Sequence, residues 1–147
     1  MRARTFIAFL AGFLPFQEAA DAAILKGTYS MRAVGSHGSM GRGKDRERVP
    51  FCGSSADKFI SANRDNLTVK YSGSSVMVGG EEWDLDGDDG NSVSAHKPKT
   101  AQNVRIEVWF RRSGTGSAAV LSYSETDSSG AKTCATGQQF SGSYSAT

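Results

Sequence analysis

The sequence predicts an all-β protein: a small antiparallel β-barrel of about eight strands in a meander, or a β-sandwich, after an N-terminal signal peptide. Three observations support this prediction. Apolar residues recur at every second position in short runs, Gly and Ser separate these runs while only three prolines occur, and an apolar leader precedes them. We favour the barrel because a closed sheet has no exposed edge strand, and closure places the first strand beside the last.

Residues 1–22 have the features of a signal peptide. Arg2 and Arg4 supply the positive start, residues 5–16 form the apolar run, and residues 20–22 (Ala-Asp-Ala) fit a cleavage site. We expect cleavage after Ala22, which leaves residues 23–147 as a single β-rich domain in the periplasm or secreted. An uncleaved anchor is the alternative, but the run is shorter than the roughly 20 residues that span a bilayer, so we expect no membrane span.

The two cysteines, Cys52 and Cys134, are expected to form a disulfide bond, because exported proteins fold in oxidising compartments. Closing so long a loop would stabilise the fold by about 4 kcal/mol in the chain-entropy model. A zinc site with His37 and His96 is the alternative, but the spacing contains no C-x-x-C or H-x-x-x-H element. We therefore expect no cofactor.

The first half of the domain contains three predicted strands. Apolar and polar residues alternate over residues 25–33 and again over Leu67–Tyr71. Residues 72–75 (Ser-Gly-Ser-Ser) predict a tight hairpin into Val76–Val78, and residues 79–80 (Gly-Gly) predict a bend. The long irregular connection over residues 35–50 is the candidate for a lid or mobile loop.

The second half continues the strand pattern. We predict strands at residues 81–85 and 93–95 with a turn at 86–91, and a short helix only at residues 56–63. Later strands are predicted at 104–111, 119–125, 132–135 and 139–145, with turns at 113–117 and 127–130. The clearest strand places two sets of side chains on opposite faces: Val104, Ile106, Val108 and Phe110 on one, and Arg105, Glu107, Trp109 and Arg111 on the other.

Trp109 is the leading candidate for a binding residue because the alternation places it on the polar face, between Arg105 and Arg111. An aromatic ring near guanidinium groups can stack on a sugar ring or take an acidic partner. The alternative is that another strand or the long loop covers it. Tyr71 and Trp83, by contrast, are expected in the core.

The connection before Cys52 carries a basic loop at residues 42–48. Arg42, Lys44, Arg46 and Arg48 form a candidate surface for an anionic ligand or partner, with two acidic residues among them. The alternative is a solvated loop whose charges compensate one another.

An acidic run provides a calcium candidate. Asp84, Asp86 and Asp88 have the first spacing of an EF-hand loop, but Asp89 stands where that loop needs glycine and Ala95 where it needs glutamate. We therefore interpret the run as a solvated hairpin turn, with calcium binding as the alternative.

The sequence offers little for catalysis. It contains no G-x-S-x-G elbow, and its two neutral-pH bases, His37 and His96, are expected in turn-like surroundings. We predict that the protein is not an enzyme, with a hydrolase that uses one of these histidines as the alternative. The net charge of +2 gives no concentrated basic stripe, so we expect no nucleic-acid partner.

Residues 27–29 (Gly-Thr-Tyr) are similar to the Gly-x-Trp motif of lipocalin-like barrels, with tyrosine in place of tryptophan and no matching arginine motif near the end. Bacterial lysozyme inhibitors are likewise small exported barrels, but a slightly basic chain is a poor electrostatic match for basic lysozyme. These likenesses assign no family.

Together these observations predict an exported, non-catalytic β-barrel that binds a small ligand or an envelope or extracellular partner. The ligand would sit inside the barrel, or the partner on the outer face near Trp109. The alternative is an inhibitor or interaction protein that inserts residues 35–50 into a secreted hydrolase.

Overall fold

The computed structural model describes residues 25–34, 49–54, 56 and 65–147. Several predicted features lie outside the described residues. They are the signal peptide, His37, nearly all of the helix predicted at 56–63, and the basic candidates Arg42, Lys44, Arg46 and Arg48. Within the described ranges, no helical stretch is long and apolar enough to cross a membrane.

The described chain forms a closed antiparallel barrel of eight strands. The strands are β1 Gly27–Ala33, β2 Leu67–Tyr71, β3 Val76–Val78, β4 Glu81–Asp88, β5 Val93–His96, β6 Val104–Ser113, β7 Gly116–Thr126 and β8 Lys132–Ser145. Each strand pairs with the next along the chain, and β1 pairs with β8. The predicted meander and the barrel, rather than the sandwich, are therefore confirmed.

Two short turns show how the sequence builds the first hairpins. Gly79 and Gly80 link β3 to β4 with backbone φ angles of 58° and 89°, both in the left-handed region. Two consecutive positive φ angles define the type I′ turn, whose twist matches that of paired strands. The turn at residues 72–75 closes with a hydrogen bond from Ser72 N to Ser75 O (3.1 Å). Both predicted turns are confirmed.

The barrel interior is filled by the inward-facing residues of the strands. The alternation predicted for β1, β2 and β6 matches the burial pattern, and Tyr71 and Trp83 lie in the core as expected. The largest fully buried side chains are Tyr29, Phe110, Phe140, Leu67, Leu121 and Gln138.

Strand β4 differs from the prediction. The sequence places a turn from residue 86 onward, but β4 continues through Asp88 with a bulge between Leu85 and Gly87. A bulge inserts one residue and shifts the alternation of the strand. Asp86, the extra residue, contacts His96 and Arg105, and the exposed Asp88 lies beside the Tyr71 hydroxyl at the lower end.

Strand β8 is also longer than predicted. The sequence predicts two segments separated near Gly137, whereas one strand of 14 residues runs from Lys132 to Ser145. Thr136, Gly137 and Gln138 all pair with residues of β7, so the partner strand holds the chain extended through the glycine.

The lower end of the barrel, where β1 begins and β8 ends, is closed by aromatic residues. The Tyr29 ring lies 4.9 Å from Phe110 and 5.0 Å from Tyr144, both edge-on. The Tyr29 hydroxyl donates a hydrogen bond to Leu25 O, and the Tyr144 hydroxyl donates one to Lys26 O. These bonds fasten the chain before β1 across the barrel floor.

The upper end, where β1 ends and β8 begins, carries the disulfide bond. Cys52 and Cys134 are bonded, with their Cα atoms 4.9 Å apart, which confirms the predicted pair. Ala135 N donates to Pro50 O (3.0 Å), and Cys52 N donates to the buried hydroxyl of Thr136 (2.9 Å). The mouth segment, which we define as residues 50–54 and 56, is thus fixed to β8 by one covalent bond and two hydrogen bonds.

Candidate functional site

The candidate site lies on the outer wall of the barrel, along β6. The outward-facing residues of this strand are Arg105, Glu107, Trp109 and Arg111, and we call this surface the β6 outer face. The alternation of β6 places Trp109 opposite in direction to the buried Val108 and Phe110. Trp109 is 38 % exposed, whereas the other tryptophan, Trp83, is 4 % exposed.

Small side chains lie directly opposite Trp109. Ser94 of β5 and Val120 of β7 lie directly opposite it on the two neighbouring strands. Ala118 and Ser122 of β7, and His96 of β5, pair with the next outward residues of β6 and occupy diagonal positions. Directly opposed side chains on a sheet are close neighbours, and diagonal ones are within reach only of long side chains. The indole ring therefore projects above low neighbours.

Arg105 is already engaged by acidic groups. Its Nε donates to Glu107 Oε1 (2.8 Å) and its Nη2 donates to Asp86 Oδ2 (3.2 Å). The hydrogen bond that Arg105 donates to Glu107, followed by the charges of both carboxylates, raises the pKa of the guanidinium. Arg105 is therefore compensated, and its contribution to an anion site beside Trp109 is smaller than its position in the sequence suggests.

Arg111, the other arginine of the β6 outer face, differs from Arg105 in its surroundings. It is exposed, faces outward two residues after Trp109, and lies opposite the short side chain of Ala118. Among the described residues it makes no ion pair. The two arginines predicted to flank Trp109 therefore differ in charge compensation.

His96 lies in a strand rather than in the expected turn. It is the last residue of β5, with Nδ1 2.7 Å from Asp86 Oδ1 and Nε2 3.4 Å from Asp84 Oδ2. The expectation was wrong because the β4 bulge and the register of β5 bring both carboxylates beside the ring. Both ring nitrogens therefore lie beside carboxylates of β4, and the bond to Asp86 joins β5 to β4.

The three calcium candidates have different partners. Asp84 and Asp86 face His96 on the outside of the barrel. Asp88 is exposed at the end of β4 and accepts hydrogen bonds from the Tyr71 hydroxyl (2.8 Å) and from Gly90 N (2.8 Å). Calcium binding stays the untested alternative, and in this structure the three carboxylates have separate partners.

Asp89 explains the turn that follows. Its Oδ1 accepts hydrogen bonds from the backbone N–H groups of Asn91 (2.9 Å) and Ser92 (2.8 Å). These bonds lower the pKa of the Asp89 carboxyl, and the Asn91 bond is the largest cause. Its carboxylate therefore builds the hairpin, as Asp side chains commonly do.

A second group of interacting polar side chains surrounds the indole N–H of Trp83. The alternation of the sequence does not predict it. The Trp83 indole N–H donates to Glu81 Oε1 (3.2 Å), and the Lys97 ammonium pairs with that carboxylate and lies 5.9 Å from the indole centre. The Lys97 hydrogen bond is the main cause that lowers the pKa of Glu81. This group anchors the buried tryptophan. Sequence reasoning misses it because the pairing register of the strands brings Lys97 next to Glu81 and Trp83.

One group at the upper end has the residue types of a metal site. Cys52, Cys134 and Glu125 have potential ligand atoms within 4.8 Å of one another. Both sulfurs are in the disulfide, so the group offers no thiolate to a metal ion. The disulfide accounts for this cluster.

The β6 outer face thus combines an exposed tryptophan, an arginine paired with two carboxylates, and an arginine without an ion pair among the described residues. Comparison with known proteins adds no relative to this description. The chain matches no protein-family model, no curated protein and no solved structure.

Proposed function

We propose that the chain is a non-catalytic β-barrel binding module that acts outside the cytoplasm and holds its partner on the β6 outer face. The observation that carries this proposal is the exposure of Trp109 on a sheet wall. Its exposed area is roughly 95 Å², if a tryptophan can bury about 250 Å². Covering that area would contribute about 2 kcal/mol to binding at the usual hydrophobic coefficient.

The packing of the barrel supports an outer-face partner over an internal ligand. Tyr29, Phe110 and Phe140 fill the interior and are fully buried. An internal ligand would have to displace such side chains, and removing large aromatic packing from a core costs about 3–5 kcal/mol per residue. The outer face needs no such rearrangement.

The surroundings of His96 support the non-catalytic part of the proposal. Its Nδ1 lies 2.7 Å from Asp86 Oδ1 and its Nε2 lies 3.4 Å from Asp84 Oδ2, which fits a histidine that joins β5 to β4.

The extracytoplasmic location is supported by the disulfide between Cys52 and Cys134. Such bonds persist in oxidising compartments and are rare in the cytosol. The leader predicted over residues 1–22 agrees with this location.

Calorimetric titration with defined probes tests the proposal. The panel comprises neutral oligosaccharides, acidic oligosaccharides, neutral peptides and acidic peptides, each added to the native chain and to two variants. We expect at least one class to bind saturably, and Trp109→Ala to weaken that binding by about 10-fold or more. Lys70→Ala, on the exposed side of β2, is the control and should bind like the native chain.

Binding that survives Trp109→Ala unchanged would contradict the proposal, as would a panel in which nothing binds. Circular dichroism of both variants establishes that the barrel is intact. A partner that is lost only when Arg42, Lys44, Arg46 and Arg48 are neutralised would instead support the loop-inserting inhibitor.

A further inference from the structure

The geometry of the β6 outer face points to a ligand class, and we propose that it is an acidic saccharide. One sugar ring lies against Trp109 while its carboxylate pairs with Arg111. This inference rests on the proposed function and specifies what the same surface binds.

The size of the apolar surface favours a sugar over a protein. The roughly 95 Å² exposed by Trp109 is the scale of one aromatic ring, whereas a stable protein interface covers about 800 Å² on each partner. The other exposed large apolar residues in the described ranges are Val34, Phe51 and Leu85. Val34 follows β1 at the upper end, Phe51 belongs to the mouth segment, and Leu85 pairs with the inward-facing Ala95, so none extends this patch.

The shape of the surface agrees with ring stacking. His96 lies diagonal to Trp109 on β5 and is hydrogen-bonded to Asp86. The neighbours opposite Trp109 are Ser94 and Val120, and the diagonal ones on β7 are Ala118 and Ser122. None of these side chains is long enough to cover the indole from the side. A flat ligand ring can therefore approach it, with the ligand C–H groups against the aromatic face.

The charge distribution sets the orientation of the ligand. On the upper side of Trp109, the positive charge of Arg105 is matched by Glu107 and Asp86. On the lower side, Arg111 makes no ion pair within the described part of the chain. A ligand carboxylate gains most beside Arg111, because a guanidinium binds a carboxylate through two parallel N–H bonds.

The distances along β6 also fit. Side chains two residues apart on one strand face are separated by about 7 Å, which a sugar ring and its own carboxylate can bridge. Polar groups are available for the ring hydroxyls. Glu107 uses Oε1 for Arg105, so Oε2 can accept from a hydroxyl, and the Ser94 hydroxyl lies across from the indole.

The test compares trigalacturonic acid with its fully methyl-esterified form, which keeps the rings and removes the charge. Binding is followed by calorimetry and by the emission of Trp109 in a Trp83→Phe background. We expect the acid to bind at least about 10-fold more tightly than the ester, as for one hydrogen-bonded charge pair. Arg111→Gln should remove this difference, while Lys70→Gln, which deletes an equal charge on β2, should preserve it.

Equal affinity of acid and ester, or an equal loss in Arg111→Gln and Lys70→Gln, would overturn the saccharide inference. So would binding of a hexaglutamate peptide at Trp109 in place of the sugar. In either case the proposed function survives if the bound probe still loses affinity in Trp109→Ala. If no probe changes Trp109 emission or loses affinity in that variant, both the inference and the proposed function fail.

Discussion

At the scale of single residues, Gly142 shows how tightly the barrel closes. It pairs with Met31 where β8 meets β1. A Cβ atom at this position would lie 1.9 Å from Ser30 O and 2.7 Å from Met31 Cα, and both are backbone atoms of the partner strand. Only glycine allows the two strands to approach this closely.

Gly142→Ala is therefore expected to lower the free energy of unfolding by roughly 3 kcal/mol or more, since β1 or β8 must move. The matched control is Gly87→Ala on β4, where an added Cβ meets nothing within 4 Å. That variant should change stability by less than about 1 kcal/mol. Urea denaturation of both variants measures the difference, and similar midpoints would contradict the closure geometry.

The buried tyrosines predict a loss of stability at alkaline pH. Burial, and secondarily the hydrogen bond to Asp88, raises the pKa of Tyr71 to about 12 from 10.0, and burial raises that of Tyr29 as well. The folded state holds these protons more tightly than the unfolded state, so the stability is present below pH 10 and falls as the pH rises towards 12. Calorimetric melting temperatures should decline over this window.

Tyr71→Phe keeps the ring and removes one titrating hydroxyl, so it should make that decline shallower. The comparison needs only the slope of melting temperature against pH above pH 10, because the variant changes stability at neutral pH as well. An unchanged slope would mean that Tyr71 does not titrate with folding.

At the scale of elements, the mouth segment is held at the upper end of the barrel by the disulfide bond and by two hydrogen bonds. Its hydrogen bonds join Cys52 N to Thr136 and Ala135 N to Pro50 O. Because Cys52 and Cys134 are 82 positions apart, opening the disulfide releases a long loop in the unfolded chain. The loss corresponds to about 4 kcal/mol in the chain-entropy model.

The double variant Cys52→Ser and Cys134→Ser should therefore unfold at lower urea, and its upper end should loosen first. Hydrogen exchange is expected to rise at the amides of Cys52 (Ser in the variant) and Ala135. The amide of Tyr144 is bonded to Thr115 O at the lower end. Its exchange should accelerate only as much as the loss of global stability requires. Uniform acceleration at both ends would show that the segment is not a separate unit.

At the scale of the whole molecule, the features that the sequence predicts correctly are local ones. Alternation with a period of two assigns the inward residues, and turn chemistry assigns the hairpin at residues 72–75 and the bend at residues 79–80, because both depend only on neighbours along the chain. The pairing of Cys52 with Cys134 follows from composition, since no other cysteine exists.

The features that the sequence misses depend on contacts between strands. The pairing of β4 with β5 determines the position of the bulge in β4, and the bulge places Asp86 beside His96. The same contacts compensate Arg105, so the sequence treats it and Arg111 as equivalent although the fold separates them. The outward direction of Trp109 was predictable from alternation, but the low neighbours that leave it exposed were not.

The central claim is that Trp109 is an open binding surface, and iodide quenching of the Trp83→Phe variant tests it most directly. With Trp109 as the only emitter, the account predicts strong quenching in the free protein, because this indole is 38 % exposed. It also predicts protection from iodide when trigalacturonic acid, or whichever probe binds in calorimetry, is added to saturation. Weak quenching of the free protein, or quenching that a saturating probe leaves unchanged, would contradict the account.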